Sequence, residues 1–332
     1  MKKLNIFYEE PNPDRWIKYD RYPRKLIRRI IRGKEKPGSI MMVALRLMEG
    51  LDILKIPYRF NDFKYIKNHP EEIACIIGKP HLIDDHTWKN PIVFGAGIFS
   101  HPLSYPDLLK KHPNIKKVLV PGPWVRNMFI PFYGDDMVIS WPVGIDTEKW
   151  KPNTVSKSVD FLVYSKFLWN KDGNKVNFLS PLLHILEQHK LSYEVVTYGN
   201  YTHQSLTESL ERCNNAIFLC EHESQGMAYQ QILSSDVPIL AWERESFWLD
   251  PSFYPDKVQF TPSSSVPYWD KNCGVKFKNL EDFERQLLLF LDKKKEGLFN
   301  PRAYILENLS LEKCAQHYFN IITAVDENLT NS

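Results

Sequence analysis

The sequence predicts a two-domain α/β fold with mostly parallel sheets. Three observations carry this. Short apolar runs alternate with amphipathic helical stretches, which implies βαβ units. The alternation restarts after a polar, proline-containing join at 151–158. A length of 332 residues suits about two domains.

The first half opens on an apolar run at 4–8, a strand. Gly38-Ser39 starts a helix over 40–48. Strands follow at 56–60, 74–78, 91–95 and 117–120, then a short helix over 124–129 and a strand at 137–140. The second half begins with a strand at 160–164, a helix over 176–189 and a strand at 193–197. A helix over 206–212, a buried strand at 216–220 and a glycine turn lead into a helix ending near 235. A strand at 237–240 and helices over 280–295 and 311–324 complete it.

Composition excludes several classes. A 43% hydrophobic, 25% charged chain is an ordinary globular one. Aromatics at 13% suit either a filled core or the apolar faces of sugar rings. A net charge of +3 gives no reason to expect a nucleic acid partner. Basic residues do crowd 15–36, where Lys25, Arg28, Arg29 and Arg32 interleave with Leu26, Ile27, Ile30 and Ile31. That spacing fits an anionic membrane surface, a phosphorylated acceptor, or a solvated helix packed on its own domain. Five scattered cysteines, none in a CxxC pair, argue against a disulfide framework or structural zinc. The histidines show no metal-ligand spacing, and Asp84, Asp85 and His86 are adjacent, so they cannot converge on one ion; no metal site is expected. The N-terminus turns acidic at Glu9-Glu10, unlike a signal peptide, and no apolar run nears the ~20 residues of a membrane span. A cytoplasmic, reducing location is expected.

Three stretches carry chemistry. Pro142-Val143-Gly144-Ile145-Asp146 runs to Trp150 and Pro152, with a turn at Gly144 and an aromatic anchor at Trp150. Tyr164-Ser165-Lys166 follows the first strand of the second half, with Lys171 five residues on. Glu223 and Gly226 precede a helix that begins near Met227 and carries Gln231, before Asp236, Val237 and Pro238. A helix N-terminus there offers free N–H groups and partial positive charge to phosphates. At 1.5 Å per residue, Gln231 lies about 7 Å along the helix.

Together these stretches resemble the family-four retaining glycosyltransferases of the GT-B fold. The first resembles the segment joining that family's halves, the second its Arg/Lys stretch, and the third its Glu-x7-Glu motif. The resemblance covers the second half well and the first half by pattern. It implies two Rossmann-like domains facing each other across a cleft: an acceptor domain at 1–150, a nucleotide-sugar domain at 151–310, and a C-terminal helix at 311–332 returning toward the first domain. It implies transfer of a sugar from a nucleotide sugar to a saccharide acceptor, lipid-linked ones included, with retention and without a metal or other cofactor. Lys166 and Lys171 would neutralise the departing pyrophosphate, Glu223 would hold hydroxyls of the transferred sugar, and Gln231 would meet the ribose. Gly38-Ser39 resembles the family's glycine loop, which approaches the donor phosphates from the other side. His101, beyond a strand end, is a candidate for contact with the donor sugar or the acceptor hydroxyl. Ser310 is an N-cap before the last helix. Departures stand at Lys166 for Arg, Ser165 for Gly, Gln225 for Phe, Gln231 for Glu and Asp236 for Gly. They keep open an epimerase of the same fold and a non-catalytic nucleotide-sugar-binding relative.

Overall fold

The computed structural model describes residues 3–10, 38–153 and 156–330, and the basic run at 15–36 lies outside them. The chain divides into two compact units. Unit 1 comprises Met1–Pro121, Phe129–Val143 and Cys314–Ser332; unit 2 comprises Gly122–Met128 and Gly144–Lys313.

Unit 1 contains β1 (Leu4–Phe7), α1 (Ser39–Ile53), β2 (Tyr58–Phe60), α2 (Phe63–Asn68), β3 (Ala74–Ile76), α3 (His81–Asp84), β4 (Ile92–Gly95), α4 (Leu108–Lys111) and β5 (Ile115–Val120). Helix α5 (Pro123–Tyr133) leads to β6 (Val138–Ser140). The sheet is parallel, in the order β2-β1-β3-β4-β5-β6. Strands β1, β3 and β4 are buried at every residue, as expected where helices cover both faces of a parallel sheet.

Unit 2 contains β7 (Val159–Lys166), then α6 (Lys171–Asn174), which passes through a π turn at Lys175–Leu179 into α7 (Ser180–Gln188). Next come β8 (Tyr193–Thr197), α8 (His203–Arg212), β9 (Cys213–Cys220), α9 (Met227–Ser234), β10 (Ile239–Trp242), β11 (Gly274–Phe277), α10 (Leu280–Lys295) and α11 (Pro301–Asn308). Helix α12 (Leu311–Thr330) crosses into unit 1. The second sheet is also parallel, in the order β8-β7-β9-β10-β11. Each sheet therefore places its first strand between its second and third, the doubly wound pattern. The strand order reverses between β1 and β3 in one unit and between β7 and β9 in the other.

Local chemistry sets the helix ends. Asn279 accepts the Asp282 N–H at 2.9 Å, acidic residues fill the first turn of α10, and Lys293–Lys295 fill its last. Ser310 Oγ accepts the Lys313 N–H at 3.3 Å, as an N-cap does. The apolar face of α12 joins the unit 1 core through Ala315, Tyr318, Ile321, Ile322 and Val325. Trp141 Nε1 donates to Cys314 O at 2.9 Å, and its ring lies 4.8 Å from that of Tyr318. All five cysteines are buried, as thiols outside any disulfide. Among the described residues, no helix is long and apolar enough to cross a membrane.

Some elements escape sequence reading. Helices α2, α3 and α4 are too short to show a period, and β11 is a four-residue edge strand. Gly144 is read from sequence as a turn, but the structure gives space as its reason. A Cβ there would lie 2.5 Å from Ser310 O and 2.7 Å from Leu311 Cα. The two segments are joined by Ile145 N–H to Leu309 O at 2.9 Å and Leu311 N–H to Ile145 O at 3.2 Å. Gly144→Ala should therefore cost about 2 kcal/mol as an overpacked site, read as a lower midpoint in chemical unfolding. An unchanged midpoint would show that the two backbones separate freely.

Candidate functional site

In doubly wound sheets, ligands bind beyond the carboxyl ends of the strands where the order reverses. In unit 2 that point is the end of β7 beside the end of β9, where Lys166 is in register with Cys220. Lys166 ends β7, and Glu223 lies three residues beyond β9. The Lys166 ammonium donates to Glu223 Oε2 in a close ion pair, with the side chains only 13% and 11% exposed. Burial is the largest single influence and works against the charge on Lys166, but the charge and hydrogen bond of Glu223, with Cys220 and Tyr198, together outweigh it, and the proton is held more tightly than on an ordinary lysine. The ring of Tyr198, half exposed, sits 4.8 Å from the same ammonium.

Two hydrogen bonds fix the Glu223 backbone and a third its carboxylate. Its N–H donates to Ser264 O at 2.8 Å, its carbonyl accepts from Trp124 Nε1 at 2.8 Å, and its Oε1 accepts the Ser224 N–H at 3.1 Å. Gly226 then turns the chain with φ +64° and caps α9. A Cβ on Gly226 would press within 3.3 Å of both Glu223 Cγ and Tyr229 Cβ. Met227 begins the helix. Gln231, one turn on, is 2% exposed. Lys171 opens α6 and is exposed; among the described residues, no ion pair joins it to Glu223. His222, between Glu221 and Glu223, donates through Nε2 to Leu249 O at 2.8 Å, and burial pushes its pKa down. Because Leu249 O is an acceptor, the ring is the donor in that contact.

In unit 1 the corresponding edge gathers the other expected residues. Gly38 caps α1 in an extended conformation, its carbonyl accepting the Met42 N–H at 3.0 Å, and Ser39 is exposed at the first helical position. Two glycines beyond strand ends, Gly78 (φ +110°) and Gly97 (φ +86°), both pack on Ile40, which seats this helix start over β3 and β4. His101 is 2% exposed; its Nδ1 accepts the Leu103 N–H at 3.1 Å, and its ring stands edge-on to Phe132 at 5.0 Å. Asp84 pairs with Tyr105 and His112, at 2.7 and 3.0 Å, while His86 stacks on Phe63.

Two supporting residues, Glu221 and Arg302, were not singled out from sequence, whereas Tyr198 opens the stretch 198–203 that the sequence offers as a base-side loop. Glu221 is buried and takes the N–H groups of Leu168 and Trp169. Arg302 reaches back to Trp150 O, Ser234 O and Thr147 O at 3.1, 2.8 and 3.1 Å, tying the end of α9 to the segment around the buried Trp150. Tyr198 covers Lys166. A lone Arg in a C-terminal helix gives no sequence signal for such a clamp. The acidic pair Glu221 and Glu223 behind a buried strand did offer one. Asp236 has φ +58°, and its Oδ1 accepts the Arg302 N–H at 3.4 Å. Asp tolerates this left-handed position after a helix better than most residues.

No protein-family model matches the chain, and no curated protein matches it by sequence. Solved structures do match. TarM superposes with a TM-score of 0.55 at 14% identity, covering 84% of this chain and 58% of its own. A TarM mutant in complex with Fondaparinux, alpha-GlcNAc-glycerol and UDP superposes at 0.51 and 12% identity. Accessory secretory protein 1, 2 and 3 of Streptococcus pneumoniae gives 0.52 at 14%, over 81% of this chain and 56% of that one. The lipopolysaccharide outer core galactosyltransferase WaaB gives 0.50 at 11%, over 97% and 99%. The chain spans a little over half the length of TarM and the accessory protein. What it shares with them is the fold: two Rossmann-like parallel α/β units of the GT-B class.

The ion pair makes a pH prediction. The folded pKa of Lys166 is raised, so its contribution to stability is complete below the ordinary lysine value of about 10.4 and declines as pH rises past it. Between about pH 9 and pH 11.5, unfolding free energy should fall more steeply for the parent than for Glu223→Gln. Equal slopes in the two titrations would mean that Lys166 and Glu223 are not coupled.

Proposed function

We propose that this chain is a glycosyltransferase that moves a sugar from a nucleotide-sugar donor to a saccharide acceptor with retention of anomeric configuration. One observation carries the reading: a buried Lys–Glu pair at the strand-order reversal of unit 2, three residues before the glycine that opens α9. The fold shared with TarM and WaaB supports it, and so does the UDP held in the TarM mutant complex.

The chemistry uses each group once. Breaking the bond from the sugar C1 to the phosphate oxygen leaves charge on the nucleoside diphosphate. Lys166, with Lys171 entering from its exposed position, takes that charge as it develops. Glu223, freed from Lys166, accepts hydrogen bonds from hydroxyls of the transferred sugar. The start of α9 at Gly226 and Met227 presents main-chain N–H groups to the phosphates, and Gln231 serves the ribose. Gly38 and Ser39 are the unit 1 candidates for the donor phosphates, and His101 is the candidate there for the donor sugar or the acceptor hydroxyl. The lysines stand where a metal would otherwise supply positive charge, so turnover should survive chelation. The basic run at 15–36 is the candidate contact for an anionic membrane or a lipid-linked acceptor.

A second reading rests on one feature. Gln231 is uncharged and buried, so a nucleotide-sugar-binding relative without transfer has a basis in the site. Donor turnover separates the two. Purified protein with a panel of nucleotide sugars should release nucleoside diphosphate in the first case and only bind donor in the second.

The pair also predicts opposite effects on binding and transfer. Glu223→Gln removes the internal partner of Lys166, so nucleoside diphosphate should bind more tightly while transfer is lost. Lys166→Ala should weaken binding and lower kcat about a hundredfold. If both variants keep the parent's turnover, the site assignment fails.

A further inference from the structure

Glu221 follows directly on β9 and is 3% exposed. Its Oε2 accepts the Leu168 N–H at 2.9 Å. Its Oε1 accepts the Trp169 N–H at 3.1 Å and Asn174 Nδ2 at 3.2 Å. Asn174 Nδ2 also donates to Trp169 O at 2.9 Å, which closes the segment on itself. All three donors lie between the end of β7 and the π turn, on the segment that carries Lys171. Two successive main-chain N–H groups converging on one point make an anion-binding concavity. Here the protein fills it with its own carboxylate. A buried carboxylate persists when N–H groups satisfy its oxygens, and charge-assisted bonds of this kind are the stronger ones.

We infer that Glu221 is a positioning residue for the donor site, an internal anion that sets the segment 167–174 before any ligand arrives. The inference rests on the proposed function and deepens it. With the 168–169 N–H groups already taken, the diphosphate of the donor is directed to the lysine side chains. Because the segment is already ordered, binding carries little cost of ordering it. Glu221 touches neither substrate nor reacting atoms; it acts through Lys166 and Lys171.

The test uses the full chain with Glu221→Ala and Glu221→Gln, and UDP and GDP as probes. In Glu221→Ala, amide hydrogen exchange at Leu168 and Trp169 should accelerate, and the affinity for the tighter of the two probes should fall about tenfold, the scale of one charge-assisted hydrogen bond. Added acetate should refill the vacated space and restore both readouts, while chloride at equal ionic strength should not. A residue that merely supports the fold would not respond to acetate. Glu221→Gln keeps the volume but turns an amide NH2 toward one of the N–H groups. One of the two amides should lose protection, without rescue, so this variant carries the test if the alanine protein does not fold. Unchanged protection in both variants, or no acetate response in the alanine variant, overturns the inference. If neither probe binds the parent, the donor reading fails, and the exchange measurements still decide the role of Glu221.

Discussion

A lysine and a glutamate buried together at the ends of two adjacent parallel strands set the terms for unit 2. Neither charge would be tolerated there alone, because a buried ion without a partner is far costlier than a paired one. The pair therefore ties the end of β7 to the segment beyond β9. Everything near it serves that junction. Ser264 and Trp124 hold the Glu223 backbone, Tyr198 covers the ammonium, and Gly226 turns the chain within van der Waals reach of Glu223 Cγ.

The surroundings of the pair are acidic. Glu221 and Glu223 flank a histidine whose pKa burial lowers, and of the two carboxylates it is Glu223 that meets Lys166. The two acids do different work. Glu221 is saturated by three N–H donors, whereas Glu223 leans on one lysine and one backbone N–H. The first is held by the main chain, and the second has fewer partners, as the proposed donor role requires.

Much of the architecture was legible in the sequence. Apolar runs at 4–8, 74–78 and 216–220 became strands because a strand buried on both faces has no polar side to show. Ser310 caps α12 as its chemistry predicts. Asp236 stood out as a departure from a glycine, and its left-handed backbone explains why glycine suits that position. Other residues were legible only as types. His101 marks a strand end in the sequence, yet its Nδ1 caps a short turn. Gln231 occupies the expected helical position, but its depth of burial depends on what packs over α9. Arg302 gave no signal, because the three carbonyls it gathers come from segments far apart in the chain.

The sequence by itself determined the alternation of strands and helices and the residue types at the strand ends. Both follow from local rules: hydrophobic period, capping and the conformational freedom of glycine. The tertiary structure alone decided that Lys166 finds Glu223, that Glu221 closes on the segment before α6, and that Gly144 lies against Ser310 and Leu311. Each of these joins groups distant in sequence. Their energies depend on burial and on which strand lies beside which, and the order β8-β7-β9-β10-β11 is set only when the sheet assembles.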